Sequence, residues 1–182
     1  IATAKGNDIV WGGNGNDVIF AYEGDDDLYG DHPTNTSQTG NDKLFGGLGS
    51  DDLFGGPGND LLDENKDRVN SDIPIFSETN NFDGGTGADT IMGSPGRDTI
   101  IGGKGDDTIV GLANDDIYIF HDDYGTDEFV DIFGKEILDF SEVTVSMQLN
   151  MAAEATTAAA GSGNYLEAIP LISIKEVNLG TG

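Results

Sequence analysis

The sequence predicts an all-β fold in which short parallel strands wind into a repeating coil. Three observations predict it. A nine-residue frame recurs through residues 3–119, its glycines and aspartates keep fixed places, and an apolar residue follows each aspartate two positions later. Residues 12–20, which read GGNGNDVIF, show the frame complete. A turn followed by a short strand, when repeated, stacks its strands in parallel about 4.8 Å apart.

Ten copies of the frame fit the chain in three gapless runs, residues 3–29, 37–63 and 84–119. The two interruptions, residues 30–36 and 64–83, are expected to project as loops from turns. The eighth place is apolar in every copy, and we expect these side chains to form the core: Val10, Ile19, Leu28, Leu44, Leu53, Leu62, Ile91, Ile100, Ile109 and Tyr118. The sixth place is always aspartate: Asp8, Asp17, Asp26, Asp42, Asp51, Asp60, Asp89, Asp98, Asp107 and Asp116.

The remaining residues, 120–182, are predicted to cap the repeats. Segments 125–133 and 136–141 alternate like strands and should cover the open end of the coil. Further strands are predicted over 143–150 and 171–179, around an Ala-, Thr- and Gly-rich stretch at 152–163 that reads as a short helix or a flexible link. The last residues read as the lead-in to another repeat block, so we expect one module of a longer tandem array.

The composition fits a fold that lacks an ordinary hydrophobic core. Of 182 residues, 34 are Asp or Glu and 8 are Lys or Arg, so the formal net charge is −26, and hydrophobic residues make up 36%. Nucleic acids and anionic membranes need a basic surface, which excludes both as partners. The absence of cysteine from the sequence excludes disulfides and thiolate zinc sites. No apolar run is long enough for a membrane span, so we expect no membrane insertion.

The frame also implies bound cations. Aspartates two repeats apart lie one above the other in such a coil, and their carboxylates repel each other. Glycines at the first, second and fourth places permit positive φ and a tight turn, which leaves carbonyl oxygens pointing into the bend. Oxygen ligands with flexible geometry select Ca²⁺ over Mg²⁺ and Zn²⁺. Asp122 and Asp123, with Asp127, are candidates for one more site after the last repeat.

These residues resemble the RTX, or hemolysin-type, family of calcium-binding nonapeptide repeats, whose frame is GGxGxDxUx. The resemblance implies a right-handed parallel β-roll, a calcium-binding solenoid. Each Ca²⁺ would lie between two turns on the same side of the roll. One turn would supply the carbonyls of its second and fourth places and its aspartate. The next turn would supply the carbonyls of its first and third places and its aspartate. The implied backbone ligands are Gly6, Gly13, Gly15, Gly24, Thr39, Gly40, Gly46, Gly47, Leu48, Gly49, Gly55, Pro57, Gly85, Gly87, Gly96, Gly102, Gly103, Lys104, Gly105, Gly111 and Ala113.

Departures from the frame imply fewer bound ions than repeats. The second-place glycine is replaced in several copies, by Ala4, Tyr22, Gln38, Ser94 and Leu112, and Asn114 replaces a fourth-place glycine. Carbonyl ligands survive such changes because every residue has one, and Asn tolerates the left-handed backbone better than most residues. An uninterrupted roll of ten copies would hold about eight ions.

The resemblance implies a calcium-binding structural module that folds on Ca²⁺ binding outside the cell and supports secretion and stability of a large exported protein. Its partners would be calcium and the type I secretion machinery, its location the medium or the cell surface, and its parent a toxin or an adhesin. The charge agrees with this implication, because repulsion among so many carboxylates keeps a chain expanded without calcium.

An alternative function is recognition of a glycan or a protein, by an adhesion module or by the non-catalytic repeat part of a secreted polysaccharide-modifying enzyme. The ninth places of the first five copies are aromatic and should alternate between the two outer faces: Trp11, Phe20, Tyr29, Phe45 and Phe54. Such a stripe can stack on sugars or simply stabilise neighbouring strands as a ladder. We expect no catalytic activity, since His32 and His121 stand alone and the sequence has no metalloprotease or hydrolase motif.

Overall fold

A computed structural model describes residues 1–34, 37–64, 78–122, 124–144 and 176–179. Within these ranges all regular secondary structure is β-strand. The strands are β1 (Ile9–Trp11), β2 (Val18–Glu23), β3 (Asp27–Tyr29), β4 (Lys43–Leu48), β5 (Asp52–Pro57), β6 (Leu61–Asp63), β7 (Asn81–Thr86), β8 (Thr90–Met92), β9 (Thr99–Lys104), β10 (Thr108–Ala113), β11 (Ile117–Ile119), β12 (Glu128–Phe133), β13 (Ile137–Phe140) and β14 (Glu176–Leu179). No helix in the described part has the length and apolar character needed to cross a membrane.

The strands form two sheets that together make a parallel β-roll. One sheet has the order β1-β3-β5-β7-β9-β11-β13-β14, and the other has the order β12-β10-β8-β6-β4-β2. As far as β13, successive strands alternate between the sheets, so each coil contributes one strand to each sheet. The pairing is parallel and sets the eighth places opposite each other, as in Leu28 with Leu53 and Ile91 with Ile109. The all-β roll predicted from the sequence is confirmed.

The core is built from one inward side chain per repeat. All ten eighth-place residues are buried, with at most 7% of their surface exposed. Phe82, Phe129 and Leu138 extend the series beyond the ten copies recognised in the sequence. A short strand turns only its central side chain inward, so little apolar surface is buried per residue. The turns must therefore supply much of the remaining stability.

The first insertion lies inside a turn and not before it. The Gly30 amide donates a hydrogen bond to the Phe54 carbonyl at 2.8 Å, as the first-place Gly12 amide does to the Tyr29 carbonyl. Gly30 is therefore the first-place residue of the repeat that contains Asp42. The boundary predicted from the sequence, which began this repeat at residue 37, is wrong because a glycine separated by a loop still fills the first place.

The second insertion is shorter than the sequence predicted. Strand β7 pairs with β5, and Phe82 turns into the core like the eighth-place residues. Asn80 accepts a hydrogen bond from the Asp51 amide (2.8 Å), at the place where other coils have aspartate. The expectation that all of residues 64–83 project as a loop is therefore wrong for residues 78–83, which belong to the roll.

The strands after the tenth copy continue the roll. Strand β12 pairs with β10, and β13 pairs with β11 and β14. Asp127 and Glu136 follow Asp107 and Asp116 by 20 residues, whereas Asp116 follows Asp98 by 18. This last coil is thus two residues longer but keeps the stacking of the coils before it.

Other C-terminal predictions fall largely outside the described residues. The helix or link predicted at 152–163 lies outside them. So do residues 145–150 and 171–175 of the two predicted strands. The rest of the second predicted strand is observed as β14.

The ninth-place aromatic rings lie on the two outer faces and stack along the roll. On one sheet Trp11 stacks on Tyr29 and Tyr29 on Phe54, with ring centroids 6.1 and 4.8 Å apart. On the other sheet Phe20 stacks on Phe45 at 4.9 Å. The predicted alternation between faces is confirmed. Because neighbouring rings cover each other, the ladder stabilises adjacent parallel strands.

Candidate metal centres

Stacking of the coils places the sixth-place side chains in two rows. Within a row, the backbone amide of one residue donates a hydrogen bond to a side-chain oxygen of the next, at N···O distances of 2.7–3.1 Å. The first row is Asp8, Asp26, Asp51, Asn80, Asp98, Asp116 and Glu136. The second row is Asp17, Asp42, Asp60, Asp89, Asp107 and Asp127. All ten predicted aspartates are therefore stacked as the frame predicted.

Most of these carboxylates keep their second oxygen buried without a hydrogen-bond partner in the described part of the chain. The atoms are Oδ2 of Asp26, Asp42, Asp51, Asp60, Asp89, Asp107 and Asp116, and Oε1 of Glu136. None of these residues is more than 3% exposed. Burying an ionised carboxylate without compensation costs several kcal/mol. Such oxygens fit a site in which a proton or a cation neutralises the charge.

Burial raises the pKa of the row carboxyls from Asp26 onward in the first row and from Asp42 onward in the second. The pKa rises to about 6 for Asp26 and Asp42, and to about 7 for Asp60, Asp89 and Glu136. It rises to about 8 for Asp127 and to about 9 for Asp116. Neighbouring carboxylates add to the rise, while the amide donated by the previous coil lowers the pKa in part. A bound cation would favour the ionised forms and reverse these shifts.

First-place glycines are required for space. A Cβ on Gly55 would lie 2.5 Å from Asp60 Oδ2 and 2.6 Å from the Gly84 carbonyl oxygen of the next coil. The same two kinds of oxygen crowd Gly12 and Gly30. First-place glycines permit positive φ, but none of them adopts it. Their role is to let carboxylate and carbonyl oxygens converge in the turn.

The second and fourth places hold the left-handed backbone of the turn. Positive φ occurs there at glycines such as Gly85 (98°) and Gly87 (138°). Where the frame lacks glycine, Tyr22 (79°), Leu112 (85°) and Asn114 (77°) adopt the same conformation. A non-glycine residue in this region costs about 1–2 kcal/mol. The left-handed conformation is thus kept at these three departures from the frame, whereas Ala4, Gln38 and Ser94 do not adopt it.

The third-place carbonyls that the resemblance implied as ligands also accept hydrogen bonds. Leu48 accepts from the Gly24 amide and Lys104 from the Gly87 amide, both at 2.8 Å. Thr39 accepts from the Gly15 amide in the same way, at 3.3 Å. A carbonyl oxygen has two lone pairs, so each can still bind a cation with the other.

A further ladder, which the sequence analysis missed, runs through the fifth places. The amide of one fifth-place residue donates to the fifth-place side chain of the preceding coil. Asp25 donates to Asn7 Oδ1 (3.1 Å), Asn59 to Asn41 Oδ1 (3.0 Å) and Ala88 to Asn59 Oδ1 (3.0 Å). These bonds run opposite to those of the sixth places. The signal in the sequence was the frequency of Asn, Asp and Ser at this place.

Asp98 differs from the other members of its row. Its Oδ2 accepts from the Ser94 amide (2.8 Å), and its Oδ1 accepts from the Asn80 amide (3.1 Å) and side-chain amide (3.2 Å). Asn80 Nδ2 also donates to Ser94 Oγ at 3.0 Å. Protein donors here occupy the oxygens that are left unpartnered in other coils. Asp98 is therefore the predicted ligand with the least free capacity for a cation.

Two buried acids outside the sixth places also escaped the sequence analysis. Asp31, which follows Gly30, is 5% exposed, and burial raises its pKa. Its charge contributes to the raised pKa of Asp42. Glu64 is fully buried, and a Cβ on Gly46 would lie 2.5 Å from its Oε2. Both acids can add carboxylate oxygen to the rows. In so acidic a chain, no local pattern distinguishes them from solvated loop residues.

The three candidates for a site after the repeats have different positions. Asp127 joins the second row. Asp122 lies apart from the rows, where its carboxylate accepts hydrogen bonds from the Thr144 amide (2.8 Å) and hydroxyl. Asp123 lies outside the described residues.

The donor set consists of carboxylate and carbonyl oxygens, which suits a hard cation of flexible coordination such as Ca²⁺. A parallel roll with such turns is typical of a calcium-binding solenoid, in which bound Ca²⁺ would supply positive charge near these oxygens. The family model of the RTX calcium-binding nonapeptide repeat matches residues 4–31, 37–62 and 83–118, with four copies. The chain belongs to this family, whose repeats bind Ca²⁺, so several repeats imply several ions. A comparison with curated proteins found no match.

Proposed function

We propose that the chain is a calcium-dependent folding module of an exported protein. The observation that carries the proposal is the set of buried, unpartnered carboxylate oxygens in the two rows. With a thin core and a net charge of −26, the chain has little to hold it compact when those carboxylates are ionised. Calcium bound between coils removes that repulsion and joins each turn to the next.

The proposed ligands are the sixth-place carboxylates together with the turn carbonyls already named. Extracellular calcium modules bind at about 10⁻⁴–10⁻³ M, whereas cytosolic sensors respond at about 10⁻⁷–10⁻⁵ M. Sites of the first kind stay empty inside a cell and fill outside it. The module would therefore pass unfolded through a type I secretion system and fold in the medium or at the cell surface, as is typical of toxins and adhesins of this family.

The proposed role is structural and not catalytic, in keeping with the family. The two histidines have neighbours that do not form a catalytic arrangement. The His32 ring stacks on Trp11, with centroids 6.1 Å apart, and His121 Nε2 lies 3.4 Å from a carboxylate oxygen of Glu142.

Circular dichroism during a Ca²⁺ titration tests the proposal, with Mg²⁺ at matched ionic strength as the control. We expect a cooperative gain of β signal with Ca²⁺ alone. Asp107→Asn should move the midpoint to higher Ca²⁺, because it removes a buried charge but keeps the oxygen that accepts the Asp89 amide. Asp27→Asn, at the partly exposed start of β3, makes the same charge change outside the rows. A folded spectrum in chelator, or equal midpoints for the two variants, would contradict the proposal.

A second candidate function is glycan recognition on the first coils. Trp11 is 47% exposed, and a cleft of about 190 Å³ lies nearby, lined by Tyr29, His32 and Phe54 among others. Aromatic rings beside a largely apolar cleft can stack on the apolar faces of sugars. Binding of the calcium-loaded chain to a glycan array, lost in Trp11→Ala but kept in Phe20→Ala on the other face, would support this function. If both variants lose stability and the parent chain binds no glycan, the aromatic rings serve only to stabilise adjacent strands.

A further inference from the structure

A cluster of three buried carboxylates lies at the C-terminal end of the roll. Asp116, Asp131 and Glu136 each place one carboxylate oxygen so that the three atoms lie within 4.8 Å of one another. All three residues are at most 3% exposed. Asp116 and Glu136 are consecutive members of the first row. Asp131 is not a member, and the repeat frame does not account for it.

Asp131 stands at the first place of its repeat, five residues before Glu136, where the coil before it has Gly111. A Cβ on Gly111 would lie 2.6 Å from Asp116 Oδ2 and 2.7 Å from Asp131 Oδ2. The missing side chain at Gly111 therefore makes room for the carboxylate of Asp131. The last coil replaces a small residue with an acid at the point where the row carboxylates converge.

The surroundings hold these carboxylates in position. The Tyr118 hydroxyl donates to Asp131 Oδ2 at 2.6 Å. The Asp98 amide donates to Asp116 Oδ1 (2.9 Å), and the Asp116 amide donates to Glu136 Oε2 (2.8 Å). Each carboxylate thus has at least one donor from a neighbouring strand or turn that orients it.

Two oxygens that belong to the cluster have no partner in the described part of the chain. They are Asp116 Oδ2 and Glu136 Oε1, on side chains that are fully buried. Three carboxylates held this close repel one another strongly in a medium of low dielectric constant. Oriented carboxylates that converge in this way, two of them with an unpartnered oxygen, are the arrangement that a hard cation requires.

We propose that Asp116, Asp131 and Glu136 bind a Ca²⁺ ion near the C-terminal end of the roll. The ion is held by three side chains, unlike the ions of the repeats, whose ligands are largely backbone carbonyls. This inference rests on the proposed function, because it assumes that the rows bind calcium. It adds Asp131 as a ligand and Tyr118 as the residue that orients it.

Calcium stoichiometry of the full chain, measured by native mass spectrometry, tests the proposal. We expect Asp131→Asn to bind one ion fewer than the parent chain. Glu128→Gln removes the same charge from an exposed side chain of the same strand, β12, and should bind the full number. If the parent chain binds calcium and Asp131→Asn binds the same number, the end site is refuted while the proposed function stands. If the parent chain binds no calcium, the proposed function fails.

Terbium luminescence gives a second readout that does not depend on counting ions. Because Tyr118 contacts Asp131, a Tb³⁺ ion in the cluster should be excited through this tyrosine. Tyr118→Phe removes the antenna and Asp131→Asn removes the ligand, so we expect the same share of tyrosine-sensitised emission to disappear in both variants. Emission that neither variant reduces would overturn the assignment.

Discussion

Glycines of the repeat meet two different physical demands. At the fourth place, Gly15 has a φ of +97° and open space where a Cβ would lie. At the first place, Gly84 has ordinary φ, but a Cβ there would lie 2.6 Å from Asp89 Oδ2. One demand concerns the backbone, and the other concerns the oxygens that converge in the turn. Both demands select glycine, so the repeat frame alone does not distinguish a glycine needed for its backbone conformation from one needed for space.

Substitution by asparagine should separate the two demands. Asparagine tolerates the left-handed region, as Asn114 shows, so Gly15→Asn should lower the free energy of unfolding in excess calcium by only about 1 kcal/mol. Gly84→Asn should lower it by about 3 kcal/mol, because the new side chain displaces a buried carboxylate. Urea denaturation of both variants in saturating Ca²⁺ measures the difference. Equal losses would show that space at the first place does not matter.

At the scale of strands and coils, the frame predicts the fold well because one apolar residue per repeat suffices to set the register of a strand. The frame fails to predict a repeat where another residue type, or a residue distant in sequence, fills one of its places. Asn80 replaces aspartate while still accepting the amide of the coil before it, so its repeat was interpreted as a loop. Gly30 fills a first place although a loop separates it from its repeat.

The candidate calcium ligands, like the strands, are predicted from the sequence only in part. The row aspartates follow from the frame, whereas Asp31, Glu64 and Asp131 do not. These acids occupy places that the frame assigns to glycine or to an insertion, and they become buried only when coils stack. Their positions depend on contacts between residues far apart in the chain, which a repeat pattern does not encode.

The coil around Asn80 yields a prediction at this scale. Asn80→Asp combined with Ser94→Gly restores the frame and removes the Asn80 and Ser94 side-chain donors that now bind Asp98 Oδ1. Two carboxylates would then face each other, and backbone amides would be the remaining donors to Asp98. We expect the double variant to bind one more Ca²⁺ per chain than the parent, measured by isothermal titration calorimetry. Ser94→Gly alone is the control. An unchanged number of bound ions in the double variant would argue against the idea that a Ca²⁺ ion can replace the side-chain donors at Asp98.

For the whole molecule, the raised pKa values decide how stability depends on pH. In chelator, a carboxyl whose pKa is higher in the folded state stabilises that state when protonated. The contribution is complete below the ordinary value of 3.8 for aspartate, and it is lost as pH rises through about 6 for Asp26, about 7 for Asp60 and about 9 for Asp116. Calcium-free chain is therefore least stable in alkaline solution.

Acidification should thus have opposite effects with and without calcium. In chelator, lowering the pH from about 8 to about 4 should increase the β signal, because protons neutralise the rows. In Ca²⁺, the same change should weaken calcium binding, since protons compete for the same oxygens. Circular dichroism across pH in both conditions, with calcium release followed by an indicator dye, measures the two trends. A calcium-free chain that loses β structure on acidification would contradict the electrostatic account.

The hydrogen bonds along the rows have a direction that applies to the molecule as a whole. Each sixth-place amide donates to the coil that follows it, so at this place the N-terminal coil presents acceptors and the C-terminal coil presents donors, whereas the fifth-place ladder runs the opposite way. The roll is therefore a polar rod with two chemically distinct ends. Two such rods can be joined head to tail with every rung continued, whereas a head-to-head junction would place acceptor against acceptor.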